Sequence, residues 1–158
     1  MSVQNDPNQV VRYGRQLFEQ DEAETNSAIP VGSLVQAVGG SGEYGDDHTI
    51  DLVDTDGAEL SSVRIALDDR SRGMRQGDSY EAGEVAKYAV TAPGSGFFLR
   101  LAAGESVTLG ESLVPTTGGE VRAFDGAGGD TAATVVAEAA EDLDNSGGSS
   151  AVYVRADR

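Results

Sequence analysis

Val85-Ala-Lys-Tyr-Ala-Val90 and Phe97-Phe-Leu-Arg-Leu101 stand on either side of Ala92-Pro-Gly-Ser-Gly96. Both runs are too short for stable helices and rich in valine and aromatic residues, the composition of strands. The proline and glycines between them read as a turn, so the two runs are predicted to pair as a hairpin. The same grammar continues in both directions. Upstream, Val31 to Val38 is a strand candidate, Thr49 to Val53 presents Ile50 and Leu52 on one face, and Val63, Ile65 and Leu67 alternate with Arg64, Ala66 and Asp68. Between the last two runs, Asp54-Thr-Asp-Gly57 can take the positive φ angles of a hairpin turn. Downstream come Ser106 to Leu109, Leu113-Val114, Val121 to Phe124, Thr134 to Ala139 and Ala151 to Arg155. Residues 132–141 mix helix-favouring alanine and glutamate with strand-favouring Thr134-Val135-Val136, and a strand entering a short turn is the expected outcome. Spacings of roughly 8–12 residues between turn signals predict an all-β fold, a small β-barrel or sandwich.

Residues 1–30 differ in character. They are rich in Gln, Asn, Asp and Glu, and Val10, Leu17 and Phe18 recur at helical spacing, which suggests a short amphipathic helix over about 8–20. Glu19 to Glu24 reads as a solvated acidic run. With too little apolar area to fold alone, 1–30 is expected to be an extended N-terminal arm ahead of a β-rich domain over 31–158. Gly39 to His48 and Arg70 to Glu84 read as long loops, the kind that meet a partner or stand in solvent.

Composition narrows the function. The 158 residues include 27 Asp and Glu against 11 Lys and Arg, a formal charge of −16, and no cysteine. Disulfides, thiolate metal sites and cysteine nucleophiles are therefore excluded. Such acidity argues against nucleic acid and against an anionic membrane as partners. No run approaches the 18 apolar residues of a bilayer span, and the N-terminus has neither the basic nor the apolar region of a secretory signal, so a soluble protein is expected. Ten arginines against one lysine, Lys87, with mostly small apolar residues, suit life in molar salt, where the Debye length falls to roughly 3 Å.

The motifs that carry chemistry are incomplete. Asp142-Leu-Asp144-Asn-Ser146-Gly147 opens like a calcium loop, but its twelfth position is Tyr153 rather than a bidentate carboxylate. Asp54-Thr-Asp56-Gly57 is a shorter version of the same pattern. Asp46-Asp47-His48 lacks a second histidine, and adjacent strand residues point to opposite faces. Gly94-Ser-Gly96 is not the G-x-S-x-G of a nucleophile elbow, and Gly39-Gly-Ser-Gly42 lacks the lysine of a phosphate loop. No catalytic, cofactor or metal residues are therefore assigned, and a non-enzyme is expected. Arg64, Arg70, Arg72 and Arg75 form the densest cationic stretch and are candidates for an interface, or for balancing Asp68, Asp69 and Asp78.

The C-terminal half carries a resemblance. Residues 103–125 read Ala-Gly-Glu-Ser-Val-Thr-Leu-Gly-Glu-Ser-Leu-Val-Pro-Thr-Thr-Gly-Gly-Glu-Val-Arg-Ala-Phe-Asp, followed by Val136-Ala-Glu-Ala-Ala-Glu-Asp-Leu-Asp-Asn-Ser-Gly-Gly148 and Ala151-Val-Tyr-Val-Arg155. This pattern resembles the head decoration (cement) proteins of tailed viruses, over roughly residues 80–158. Together with the acidity it suggests a tailed virus of a halophilic archaeon. The resemblance implies a small β-barrel-like fold, no catalysis and no cofactor. It also implies assembly as a homotrimer on the outer capsid surface, with the major capsid protein as partner, after synthesis in the host cytoplasm. On this reading the N-terminal arm contacts the shell, and Val10, Tyr13, Leu17, Phe18, Phe97 and Phe98 join the arginines as candidate interface residues. The alternatives are another virion β-protein (turret, fibre base or tail component), a halophilic surface or carbohydrate-binding β-module, and a hydrolase with an unrecognised carboxylate pair.

Overall fold

Glycine and aspartate turns cut the chain into short strands that pair mostly with distant partners. The structure, a computed structural model, describes residues 10–13, 19–39 and 48–158. The strands are β1 (Val11–Tyr13), β2 (Glu19–Thr25), β3 (Ile29–Pro30), β4 (Leu34–Gly39), β5 (His48–Leu52), β6 (Arg64–Ala66), β7 (Ser79–Tyr80) and β8 (Val85–Val90). They continue with β9 (Gly96–Leu101), β10 (Ser106–Val107), β11 (Ser112–Pro115), β12 (Val121–Ala123), β13 (Ala137–Ala139), β14 (Leu143–Asp144) and β15 (Val152–Asp157). Short 3₁₀ turns occupy Arg70–Arg72, Thr117–Gly119 and Ala132–Thr134, and the described residues include no α-helix. No helix among them is long and apolar enough to cross a membrane.

The all-β reading is borne out, and it takes the form of two lobes. In the N-lobe, β2-β5-β4-β6-β8 form a closed barrel in that order, with β2 and β5 parallel. In the C-lobe, β9, β12, β11, β13 and β15 pair in sequence, and β15 pairs back onto β9, so this sheet also returns to its start. β1 adds to β9 beside it. Period-two alternation places Phe97, Leu99 and Leu101 of β9 in the core, opposite Val154 and Ala156 of β15. The buried apolar residues of both lobes form one continuous cluster.

Several expectations fail for one shared reason. β8 and β9 do not form a hairpin: β8 pairs with β2 and β6 in one lobe, whereas β9 pairs with β1, β12 and β15 in the other. Likewise β5 and β6 are separated by β4. Gly57 does take a positive φ of 64°, but its amide donates to the Pro115 carbonyl of the C-lobe at 2.8 Å. The described part of 1–30 is not a separate arm or a helix. β1 lies on β9, β2 completes the barrel, and Ile29 is fully buried. Arg70 to Glu84 contains a 3₁₀ turn and β7, and residues 132–134 form a capped 3₁₀ turn rather than strand.

Gly119 fixes the fit between the lobes. Its φ is +69°, and a Cβ there would lie 2.8 Å from the Leu34 carbonyl oxygen, 2.8 Å from Leu52 Cδ2 and 2.9 Å from Ser33 Cβ. Gly119→Ala combines left-handed strain with overpacking against backbone, and is expected to cost about 2–4 kcal/mol. Chemical denaturation would show this as a lower midpoint with an unchanged slope.

Candidate interaction surface

The arginine-rich segment leaves β6 through a capped turn. Asp69 Oδ1 accepts hydrogen bonds from the Ser71 amide at 3.1 Å and the Ser71 hydroxyl at 2.7 Å, and Gly73 closes the turn at φ 75°. Lys87 Nζ lies 2.9 Å from the same carboxylate. The Ser71 hydroxyl first, then the Lys87 ammonium, hold the Asp69 carboxyl below the usual carboxylate range against the opposing effect of burial. The chain's single lysine is thereby committed to neutralising a buried acid. Beneath the turn Tyr80 is fully buried, donates its hydroxyl to the Leu67 carbonyl at 2.8 Å, and has its pKa pushed up by burial to about 12.

Above this base the arginines stand outward. Arg70 lies 3.5 Å from Asp68, and Arg72 reaches Glu84 at 2.5 Å with its guanidinium 5.8 Å from the Tyr80 ring centre. The Arg75 amide donates to Asp78 Oδ2 at 2.7 Å, while its exposed side chain makes no ion pair among the described residues. Arg70, Arg72 and Arg75 therefore form a short exposed ridge. Arg64 does not join them: it sits at the other end of β6, between Val35 and Val90.

The apolar candidates are placed differently. Val10 and Phe97 are 0% and 1% exposed, in the core rather than on a surface. Tyr13 is paired with Gly96 in the sheet, and Leu17 and Phe18 lie outside the described residues. Phe98 is half-buried and shares a strand face with Arg100. That face, expected to meet another subunit, is turned toward the N-lobe of the same chain. Arg100 lies opposite Tyr153 across the sheet and reaches Ser33 Oγ at 3.5 Å. The Tyr153 hydroxyl donates to the Val31 carbonyl at 2.6 Å and accepts from the Gly77 amide at 2.9 Å.

A second tie across the lobes is Arg122, which sequence reasoning missed. Its guanidinium meets Asp56 of the N-lobe at 2.6 and 3.1 Å, and Asp130 at 2.6 and 2.9 Å. Both aspartates are held below the usual carboxylate range, by Arg122 above all. Asp54 Oδ1 accepts from the Gly118 amide at 2.9 Å. The Asp-x-Asp-Gly turn considered for calcium is thus a docking point for the other lobe. A local signal existed in Gly118-Gly119, but nothing in the sequence links it to residue 56.

Of the other chemistry-bearing candidates, Asp46 and Asp47 lie outside the described residues, and His48, Asp142 and Asp144 are tied into the fold. His48 Nε2 lies 2.8 Å from the Tyr88 hydroxyl, which donates to Asp21 Oδ2 at 3.1 Å. Asp142 Oδ1 accepts from the Leu109 amide at 2.8 Å, and Asp144 Oδ1 from the Ser146 amide at 2.9 Å. Among the described residues no three His, Asp or Glu side chains are grouped so as to hold a metal ion. Residues 106–108, Glu111 and residues 142–144 line an open cleft of about 730 Å³. Beside it Leu109 is 69% exposed.

No family model matches this sequence, and no curated protein matches it. The fold is similar to a solved structure, the head fiber gp8.5 N base of bacteriophage phi29, with a TM-score of 0.58 and 13% identity. The superposition covers 89% of this chain and 92% of that one. At this identity the likeness is one of fold, and it extends over nearly the whole of both chains.

Proposed function

We propose that this protein is a non-enzymatic structural virion protein that decorates and stabilises the outer surface of an icosahedral capsid by binding the major capsid protein. The observation that carries this reading is the fold likeness to a phage head fiber base over 89% of the chain, on top of the decoration-protein pattern in residues 103–155. The commitment of His48, Asp56, Asp69 and Asp130 to hydrogen bonds within the fold supports a structural rather than catalytic role. The proposed assembly is a homotrimer in the virion of a haloarchaeal tailed virus, made in the host cytoplasm, with no cofactor, nucleic acid or membrane as partner. The second reading, a fibre base, is favoured by the same comparison, because the similar structure is itself the base of a head fiber.

The test is to mix the purified protein with capsids that lack it and sediment the capsids. Saturable co-sedimentation is expected, and protein left in the supernatant at every ratio overturns the reading. Electron microscopy of the pellet separates the two roles, because a decoration protein coats the shell whereas a fibre base marks discrete protrusions. Halophilic adaptation has its own readout. The charge of −16 predicts a melting temperature that rises as KCl is raised toward about 1 M, where self-repulsion is screened. A melting temperature independent of KCl contradicts it.

A further inference from the structure

We propose that the ridge formed by Arg70, Arg72 and Arg75 seats in the cleft beside Leu109 of a second copy, joining the N-lobe of one molecule to the C-lobe of the next. This rests on the reading that copies assemble around a capsid position, and it names the two surfaces that meet. Copies bearing −16 each repel one another over most of their surfaces. A contact between two of them is favoured where cations of one face carboxylates of the other.

The ridge is built for such a contact. Its turn is capped by Asp69, the following segment is held by the Asp78 carboxylate, and the Gly77 amide is pinned to the Tyr153 hydroxyl. A ridge fixed in this way loses little conformational freedom on docking. Arginine offers a planar fork of donors that matches carboxylates two bonds at a time. On the receiving side, the exposed Asp142 and Asp144 each use Oδ1 for a turn amide and present their carboxylates at the cleft. Leu109, 69% exposed, gives the contact an apolar centre. Because ridge and cleft are different surfaces, the contact is heterologous: it repeats head to tail and closes into a ring when the rotation per copy allows. A homotrimer is closure at three.

Arg75 and Leu109 allow a test that leaves the fold intact, since both side chains are exposed and neither makes an ion pair among the described residues. Mass is measured by light scattering in about 1 M KCl, with circular dichroism as the check on folding. The wild-type chain is expected to have the mass of several copies. Arg75→Glu and Leu109→Arg should each weaken association roughly tenfold or more, by placing like charges across the contact. A chain carrying both Arg75→Glu and Leu109→Arg should recover the assembly, because the Glu at 75 of each copy then meets the Arg at 109 of the next. A single-copy wild type, unchanged masses of both single variants, or a doubly substituted chain that stays dissociated would each overturn the proposal. Wild-type protein that assembles as described but does not sediment with capsids would overturn the capsid reading alone.

Discussion

A chain lacking residues 1–30 is expected not to fold. Residues 19–25 look dispensable in sequence, yet they form the strand that closes the N-lobe barrel. β2 pairs with β8 at every position from Glu19↔Val90 to Glu24↔Val85, and with β5 at Glu24↔Thr49 and Thr25↔Ile50. Removing it opens both neighbours and bares the fully buried Ile50, Ala86 and Ala89. The truncation also takes away Val10, Val11 and Ile29, all 7% exposed or less. At about 1.5–3 kcal/mol per buried side chain, these three alone represent roughly 5–9 kcal/mol, against a total stability of about 5–15 kcal/mol for a typical domain. Circular dichroism and proteolysis of the truncated chain should show an unfolded protein. A cooperative thermal transition in the truncated chain would contradict the barrel topology. Removal of residues 1–9 alone, which leaves every described strand in place, is the control expected to fold.

The second large effect concerns Arg122. Its side chain is 17% exposed and Asp130 only 5%, so Arg122→Ala leaves a buried carboxylate without its cation. Breaking such a pair costs about 3–5 kcal/mol. Asp56 is 57% exposed and screened by water, so the lower end, about 3 kcal/mol, is expected. For a chain of this length that is a fall in melting temperature on the order of 10 °C. The pH dependence gives a separate signature. The Asp56 and Asp130 pKa values are depressed in the folded state, so the clamp stabilises fully above the unfolded carboxylate value of about 4 and is lost as pH falls through the folded values. Wild-type protein should lose stability between pH 6 and pH 3 more steeply than Arg122→Ala. Parallel pH profiles would mean that the clamp is not formed in solution.

The strands themselves were largely legible. Thr49 to Val53, Val63 to Leu67, Val85 to Val90, Phe97 to Leu101 and Ala151 to Arg155 each overlap an observed strand, because alternation and turn residues are local signals. Pairing was not legible. Ala92-Pro-Gly-Ser-Gly96 has the composition of a hairpin turn, yet it carries the chain from one lobe to the other, and no local rule distinguishes the two. β2 was missed because glutamate and aspartate are poor strand formers and its neighbours across the barrel decide its state. Only Ala23 and Thr25, both buried, hint at an inward face. The candidate interface was partly legible. Three arginines do form one exposed ridge, since Arg70 and Arg72 share a capped turn and Arg75 follows it closely, but Val10 and Phe97 lie in a core assembled from both lobes. Arg122 and Tyr153 hold the lobes together through partners far away in sequence, and spacing carries no trace of that.

The most direct measurement is a reconstruction of intact virions by electron cryomicroscopy, with the protein located by its two-lobed β fold. The account predicts density for this chain outside the capsid wall, in contact with the major capsid protein. Virions in which that density is absent, or holds the protein only inside the shell, would contradict it.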